Sequence, residues 1–282
     1  MYLEQLLLVG VLGGAVLSLV GVGFTLVIGV GKVANFAHGA FVAVGMYLGY
    51  WIGHTLGLNP YVLFVPALLV FTLIGWGIAE LFEWRGRKVG AIGELLVGLA
   101  LLLLINGLLS VGFGPNPVTL SNVEMGSVSV AGTRIPGSEI YAAVFTLVVG
   151  AGIYVFLRGS RWGRALRAVA ENPQSAALYG VRVPIAQRVA VTGSIALAGI
   201  AGLVISPFSV LTPDVGTNFL ITAFAVIVIG GVGNTVGAVL AGLLIGVVDS
   251  LAIGYLSTVW TTLGPLLIIL AFLLIRPVPV EI

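Results

Sequence analysis

Seven stretches of this chain carry no charged residue: 5–31, 33–79, 95–123, 140–157, 189–213, 215–248 and 250–275. A soluble core built from 282 residues cannot enclose that much apolar surface, since 59% of the residues are hydrophobic and only 8% are charged. A bilayer can accept it. A charge at the centre of a membrane helix costs about 2.5–3.5 kcal/mol on insertion scales, enough to outweigh several leucines, so the charges punctuate the spans and the gaps locate them. The chain is therefore expected to cross a membrane many times.

One crossing needs about 20 residues. The run 33–79 then holds two helices, divided at Gly57-Leu58-Asn59-Pro60, where the proline disfavours helix at the residue before it. Nine helical segments are predicted, near 5–29, 36–55, 61–82, 93–112, 140–157, 189–207, 218–231, 236–254 and 258–275. If the second or seventh is broken or re-entrant, eight full spans remain. The fold class is all-α: a polytopic membrane helix bundle of about 8–9 segments forming a single transmembrane domain over 1–282, with a cytoplasmic loop at 158–188.

Nine crossings with the amino terminus outside put Lys32, the Arg85/Arg87/Lys88 cluster, the six arginines between 158 and 188, and Arg276 on the cytoplasmic side. Eleven of twelve basic residues then lie inside, with Arg134 the exception, and the carboxyl terminus is cytoplasmic. The net charge of +2 and pI near 9.0 follow from that bias and point to no nucleic-acid partner. Met1-Tyr2-Leu3-Glu4 lacks a basic leader, and the first apolar run is too long for a cleaved signal peptide, so it is expected to stay as a helix.

Enzymatic motifs are missing. There is no cysteine, and two histidines sixteen residues apart make no metal pattern. Gly29-Val30-Gly31-Lys32 lacks the spacing of a phosphate loop, and Gly231-Val232-Gly233-Asn234-Thr235-Val236 lacks the third glycine of a dinucleotide fingerprint. No nucleophile elbow and no HExxH occurs. Any energy source must lie outside this chain. The 41 glycines include a four-residue ridge at Gly45, Gly49, Gly53 and Gly57, with the same spacing at Gly233/Gly237 and Gly242/Gly246, as expected where helices approach closely in lipid.

The polar segment after residue 157 has its own local signals. Trp162, Ala165, Leu166 and Val169 make one apolar helical face, with Arg161, Arg164, Arg167 and Glu171 opposite. Asn172 reads as an N-cap, Pro173 as the first helical residue and Gly180 as the residue past the end, which predicts a separate two-turn helix at 173–179. Ala176 and Ala177 would give it a small-residue surface that a partner can approach, and Val183-Pro184 would end the segment before the next span. A basic loop can also simply lie on anionic headgroups, at about 1 kcal/mol per basic residue. Capping a short helix at both ends favours protein docking instead.

The stretch Gly163-Arg-Ala-Leu-Arg-Ala-Val-Ala-Glu-Asn-Pro-Gln-Ser-Ala-Ala-Leu-Tyr-Gly180 resembles the cytoplasmic coupling loop of branched-chain amino acid ABC transporter permeases of the LivH type. Val33-Ala-Asn-Phe-Ala-His-Gly39 and Gly230-Gly-Val-Gly-Asn-Thr-Val-Gly-Ala-Val-Leu-Ala-Gly242 fit the same family, and the resemblance runs over essentially the whole chain. It implies a type II-like importer permease in a prokaryotic cell (inner) membrane. The implied partners are a second, LivM-like permease subunit, two cytoplasmic ABC ATPases and an extracytoplasmic solute-binding protein. ATP and Mg would be held by the ATPases, with no cofactor in this chain. Arg164, Arg167, Glu171, Asn172, Pro173, Ala176, Ala177 and Gly180 would form the ATPase-coupling element. Related permeases also serve urea, short-chain amides and other small polar solutes. The sequence departs from the family at Gly39-Ala40, where an acidic residue often follows the glycine.

Few polar groups fall at membrane depth, where they are costly unless they face a cavity or a partner. Asn35 and His38 open the second segment, Asn106 lies in the fourth, and Asp249 interrupts the last long apolar stretch. These are the transport-pathway candidates, each with a structural hydrogen-bonding reading beside it. Ser127-Val-Ser-Val130 followed by Ala131-Gly132 predicts a hairpin between the fourth and fifth spans, and 209–217, with Pro213 and Asp214, is a second external segment that a delivery protein could touch. An ATP-independent channel or ion-coupled carrier is the rival from another class. Its paired buried charges are nearly absent here.

Overall fold

The computed structural model describes residues 2–83, 90–120, 126–130, 133–257 and 259–275. Arg85, Arg87, Lys88, Arg276 and the Ala131-Gly132 turn lie outside the described residues. Lipid offers no hydrogen bonds, so each apolar run satisfies its backbone internally by becoming helix. The first helix, α1 (Tyr2–Leu26), runs on through a π-turn at Val27–Gly31. It is followed by α2 (His38–Leu56), then α3 (Phe64–Leu81), which begins in a 3-10 turn at Pro60–Leu63, and α4 (Ala91–Phe113). A hairpin of β1 (Ser127–Val130) and β2 (Thr133–Pro136) leads into α5 (Gly137–Gly159). Two shorter helices come next, α6 (Arg161–Glu171) and α7 (Pro173–Leu178). The chain then returns to the bundle as α8 (Val183–Ile205), α9 (Val215–Gly230), α10 (Thr235–Tyr255) and α11 (Trp260–Ile275).

Nine apolar helices among the described residues match the nine predicted segments. Six are long and apolar enough to cross a membrane by length and composition, α9 and α11 are shorter, and α2, long enough at 19 residues, is less apolar than the six. Neither α2 nor α9 is broken. The sixth predicted segment needs correction, because α8 starts at Val183 rather than 189 and takes Pro184 into its first turn. A proline at that position loses no helical hydrogen bond, so the residues read as a terminator are an initiator. The polar loop therefore shrinks from 158–188 to the residues between α5 and α8. Arg188 is tolerated inside α8 because it pairs with Glu83, and with Glu80 at 3.7 Å, across to the end of α3.

Burial sorts the helices. Some 78% of the apolar window of α8 is buried, against 17% in α4 and 22% in α3 and α5, so α8 is the hub and those three lie on the outside of the bundle. α2 crosses α8 with almost no side chain between them: a Cβ on Gly45 would come 2.8 Å from the Gly199 carbonyl carbon, and one on Gly202 would come 2.9 Å from Met46 N. Gly246 and Gly242 of α10 meet Gly14 and Ser18 of α1 in the same manner. The Gly233/Gly237 pair does not form such a face; Gly233 sits in the turn before α10, at φ +78.

The two ends of the bundle differ in charge. Lys32, Arg158, Arg161, Arg164, Arg167 and Arg182 gather at one end, with α6 and α7 beneath it. The opposite end carries the start of α1, the hairpin, and a bridge in which Val118 and Leu211 exchange hydrogen bonds of 3.0 and 2.9 Å. Tyr61 fastens that end, its hydroxyl lying 3.0 Å from the Val204 carbonyl.

Candidate docking helix and pathway residues

At the basic end the chain leaves α5 and turns at Ser160, whose hydroxyl accepts from Gly163 N at 2.8 Å and caps α6. Gly163, Leu166 and Val169 form the buried stripe. The expected stripe is thus displaced, with Trp162 half exposed, because Gly163 must lie against the Phe156 and Leu157 carbonyls where the chain reverses. Arg161, Arg164, Arg167 and Glu171 are exposed as predicted. Arg164 donates to the Gly159 carbonyl at 3.2 Å, and Lys32 reaches the Ala170 carbonyl at 3.4 Å, tying α6 to the ends of α5 and α1.

α7 is capped at both ends. Asn172 Oδ1 accepts from Ser175 N at 2.9 Å, and Pro173 occupies the first turn. Gly180, at φ +81, lets Val181 N bond the Ala176 carbonyl (3.1 Å) and Gly180 N bond the Ala177 carbonyl (3.0 Å), a Schellman ending that favours a residue without Cβ. Ala177 is exposed, but Ala176 is not: it is buried in a cluster with Leu26, Val30, Leu157, Leu166, Val169, Ala186 and Ala190. Its expected place on a partner-facing surface is corrected, since the helix turns Ala176 inward. Leu178 and Tyr179 stand out instead, 88% and 90% exposed. Two large apolar residues just before the terminating glycine of a polar segment were the signal that sequence reading passed over.

The pathway candidates separate into two kinds. His38 is fully buried; Nε2–H donates to the Val20 carbonyl at 3.1 Å and Nδ1 accepts from the Ser194 hydroxyl at 3.0 Å. Both ring nitrogens are engaged, so His38 links α1, α2 and α8. Asn35 is equally buried, and its Oδ1 accepts from Ala37 N at 3.0 Å to form the tight entry into α2, while its Nδ2 has no hydrogen-bond partner among the described residues. Ala40 is buried against Gly216 of α9, which leaves that position no access to solute.

Asn106 and Asp249 do line cavities, on the half of the bundle away from the basic end. Asn106 shares a 280 Å³ cleft with Ser110, Pro115, Pro213 and Asp214, and its Oδ1 has no hydrogen-bond partner among the described residues. Asp249 lines a second space of 380 Å³ with Gln5, Ser209, Ser250 and the aromatic rings Phe208 and Phe219. Its Oδ1 is likewise unpartnered among the described residues. The structure brings neither residue to the other's cavity. Each presents an unpartnered oxygen to its cavity, and the segment 209–217 carrying Asp214 borders the first.

The family whose model matches residues 6–275 is described as branched-chain amino acid transport system, permease component. The high-affinity branched-chain amino acid transport system permease protein LivH of Salmonella typhimurium is 27% identical over 98% of this chain and 94% of its own length. BraD of Pseudomonas aeruginosa, described in the same words, is 30% identical over 98% and 94%. Among solved structures, a chain of PsaBC from Streptococcus pneumoniae, in complex with Fab, shares the fold with a TM-score of 0.56 and 15% identity, over 98% of this chain and 92% of that one.

Proposed function

The chain belongs to the permease-component family of branched-chain amino acid transport systems, and we propose that it moves branched-chain amino acids into the cell as one of two permease subunits of an ABC importer. The basic end is then cytoplasmic and the amino terminus outside, in keeping with the arginine bias. The companion subunit is LivM-like, two ATPases sit beneath α7, and an extracytoplasmic receptor delivers solute to the cleft edged by Asp214. ATP and Mg reside on the ATPases.

The observation that carries this reading is α7 itself: a helix of six residues, fixed at both ends, rooted by Ala176 and offering Leu178 and Tyr179 outward. Lipid attraction requires no such geometry. When the ATPases close on nucleotide, α7 moves with them. Ala176 shares one buried cluster with Ala186 and Ala190, so the motion enters the first turns of α8, and α8 carries it through its close crossing with α2. Interiors packed this tightly change between discrete arrangements rather than bending continuously. Reversing a 1:99 bias to 99:1 takes roughly 5.5 kcal/mol of differential binding, which ATPase docking must supply. Asn106 and Asp249 contribute acceptor groups to the outer part of a path completed by the second subunit.

The test is uptake into proteoliposomes holding this chain, the companion permease, the ATPases and the receptor. Leu178→Asp with Tyr179→Ser is expected to cut ATP-dependent leucine uptake by tenfold or more while the complex keeps its membrane insertion and melting midpoint. Undiminished uptake by that variant, or gradient-driven uptake by this chain without ATPases, overturns the reading.

A further inference from the structure

We propose that the groove between α1, α5 and α10 binds one anionic phospholipid, its acyl chain lying along the groove and its phosphate held by Arg158 and Arg167. The groove is a cavity of 330 Å³ whose walls include Ala15 and Leu19 of α1, Ala151 and Tyr154 of α5, and Val239 and Leu243 of α10. A second cavity, of 210 Å³, gathers Arg158, Arg167 and Asn234. Tyr154, Thr235 and Val236 line both, so the two spaces form one course from the bundle interior to the basic end.

Each part of the course asks for a different part of the ligand. Ser18, on the wall, already shares its hydroxyl proton between the Gly14 and Val239 carbonyls, both at 2.8 Å, and the Thr146 hydroxyl, unpartnered among the described residues, lies at the far part of a wall that is otherwise mostly apolar. Such a surface suits hydrocarbon. From Thr146, which lines the far part of the groove, to Arg158 is twelve residues of α5, about 18 Å at 1.5 Å per residue. Half of a hydrocarbon core is about 15 Å. The course therefore spans one leaflet, the reach of a single acyl chain whose headgroup stays at the interface.

The headgroup end is a set of donors. The Arg158 guanidinium lies 4.8 Å above the Tyr154 ring, which holds its head at the mouth without neutralising it. No carboxylate among the described residues lies within 4 Å of Arg158 or Arg167; the ion pairs present there belong to Arg188. Asn234 Oδ1 is taken up by Gly237 N at 3.0 Å, so its amide N–H groups remain to donate. Two guanidinium groups and an amide match a phosphodiester, and a forked arginine pair prefers it to a zwitterionic headgroup that brings its own cation. General attraction of a basic loop to a membrane would need neither the groove nor its length. The occupant would sit where α6 meets the core, wedged between the docking segment and the helices it drives.

Native mass spectrometry on the delipidated full-length protein, titrated with phosphatidylglycerol or phosphatidylcholine, tests this. One phosphatidylglycerol is expected to remain bound with at least tenfold preference. Arg158→Gln with Arg167→Gln should weaken it roughly 30-fold, about 2 kcal/mol at 1.4 kcal/mol per tenfold, and abolish the preference. Gly150→Leu projects into the groove, where a Cβ at that position would meet no atom of another element within 4 Å, and should reduce binding of both lipids by tenfold or more while the protein keeps its melting midpoint. Equal binding of the two lipids by the native chain, or full retention in both variants, overturns the proposal. So does displacement by millimolar inorganic phosphate, which would mark an anion site without an acyl requirement, or photo-crosslinking from Leu147 that captures protein and no lipid.

Discussion

His38 and Asp249 illustrate how differently two polar residues can be used in lipid. His38 is saturated: two hydrogen bonds to two other helices fill both ring nitrogens. Asp249 faces open space with an oxygen to spare. Replacing His38 with Ala removes both bonds and leaves a hole at the meeting of three helices, at a cost of about 2–3 kcal/mol. Thermal unfolding followed by tryptophan fluorescence should show a lowered midpoint, with uptake falling only as folded protein is lost. A normal midpoint with abolished uptake would place His38 on the solute path. The sequence singled out both residues because any polar group at that depth is conspicuous, yet it could not separate them. The difference lies in Ser194, 156 positions away from His38, and nothing local records that partner.

At the scale of the element, the polar segment was the most legible part of the chain. Asn172, Pro173 and Gly180 predicted the limits of α7, because caps are local chemistry and depend on neighbours in sequence. Which way α7 faces was not legible. Its orientation follows from Ala176 joining the buried cluster that holds Ala186 and Ala190 of α8, and Trp162 fell off the expected stripe because Gly163 is pressed onto the end of α5. Gly180→Val forces a β-branched residue into a left-handed conformation at about 1–2 kcal/mol and undoes the Schellman bonds. The expected result is a frayed α7: solute-stimulated ATP hydrolysis in the assembled complex drops several-fold, while the amount of permease in the membrane is unchanged. Unaltered stimulation would show that docking does not depend on the end of this helix.

For the whole molecule, charge gaps were enough to find nine helices, since the bilayer imposes one rule on every span. They misplaced the start of α8, where Arg188 is compensated by Glu83 on another helix. They also could not rank the helices, and the contrast between α8 and α4 is a matter of neighbours, not composition. Two of the four ridge glycines, Gly45 and Gly49, did foretell the α2–α8 crossing, whereas Gly53 faces Leu120 and Gly57 lies past the end of α2 with open space beside it. Filling the crossing with Gly202→Leu drives side-chain carbon into Met46 and Val42, and the variant is expected to lose more than half of its detergent-stable monodisperse fraction by size-exclusion chromatography; Gly77→Leu, which has open space beside it, should keep that fraction. One consequence concerns biogenesis. α2 is absent from the six helices apolar enough to cross by themselves, and its crossing partner α8 is made much later. At 5–20 residues per second, the 156 residues from His38 to Ser194 take roughly 10–30 s to synthesise. Throughout that interval the nascent chain must shelter a histidine-bearing, glycine-lined segment whose companion has not yet left the ribosome, which makes this the stage at which an insertase or a chaperone would find the polypeptide most in need of custody.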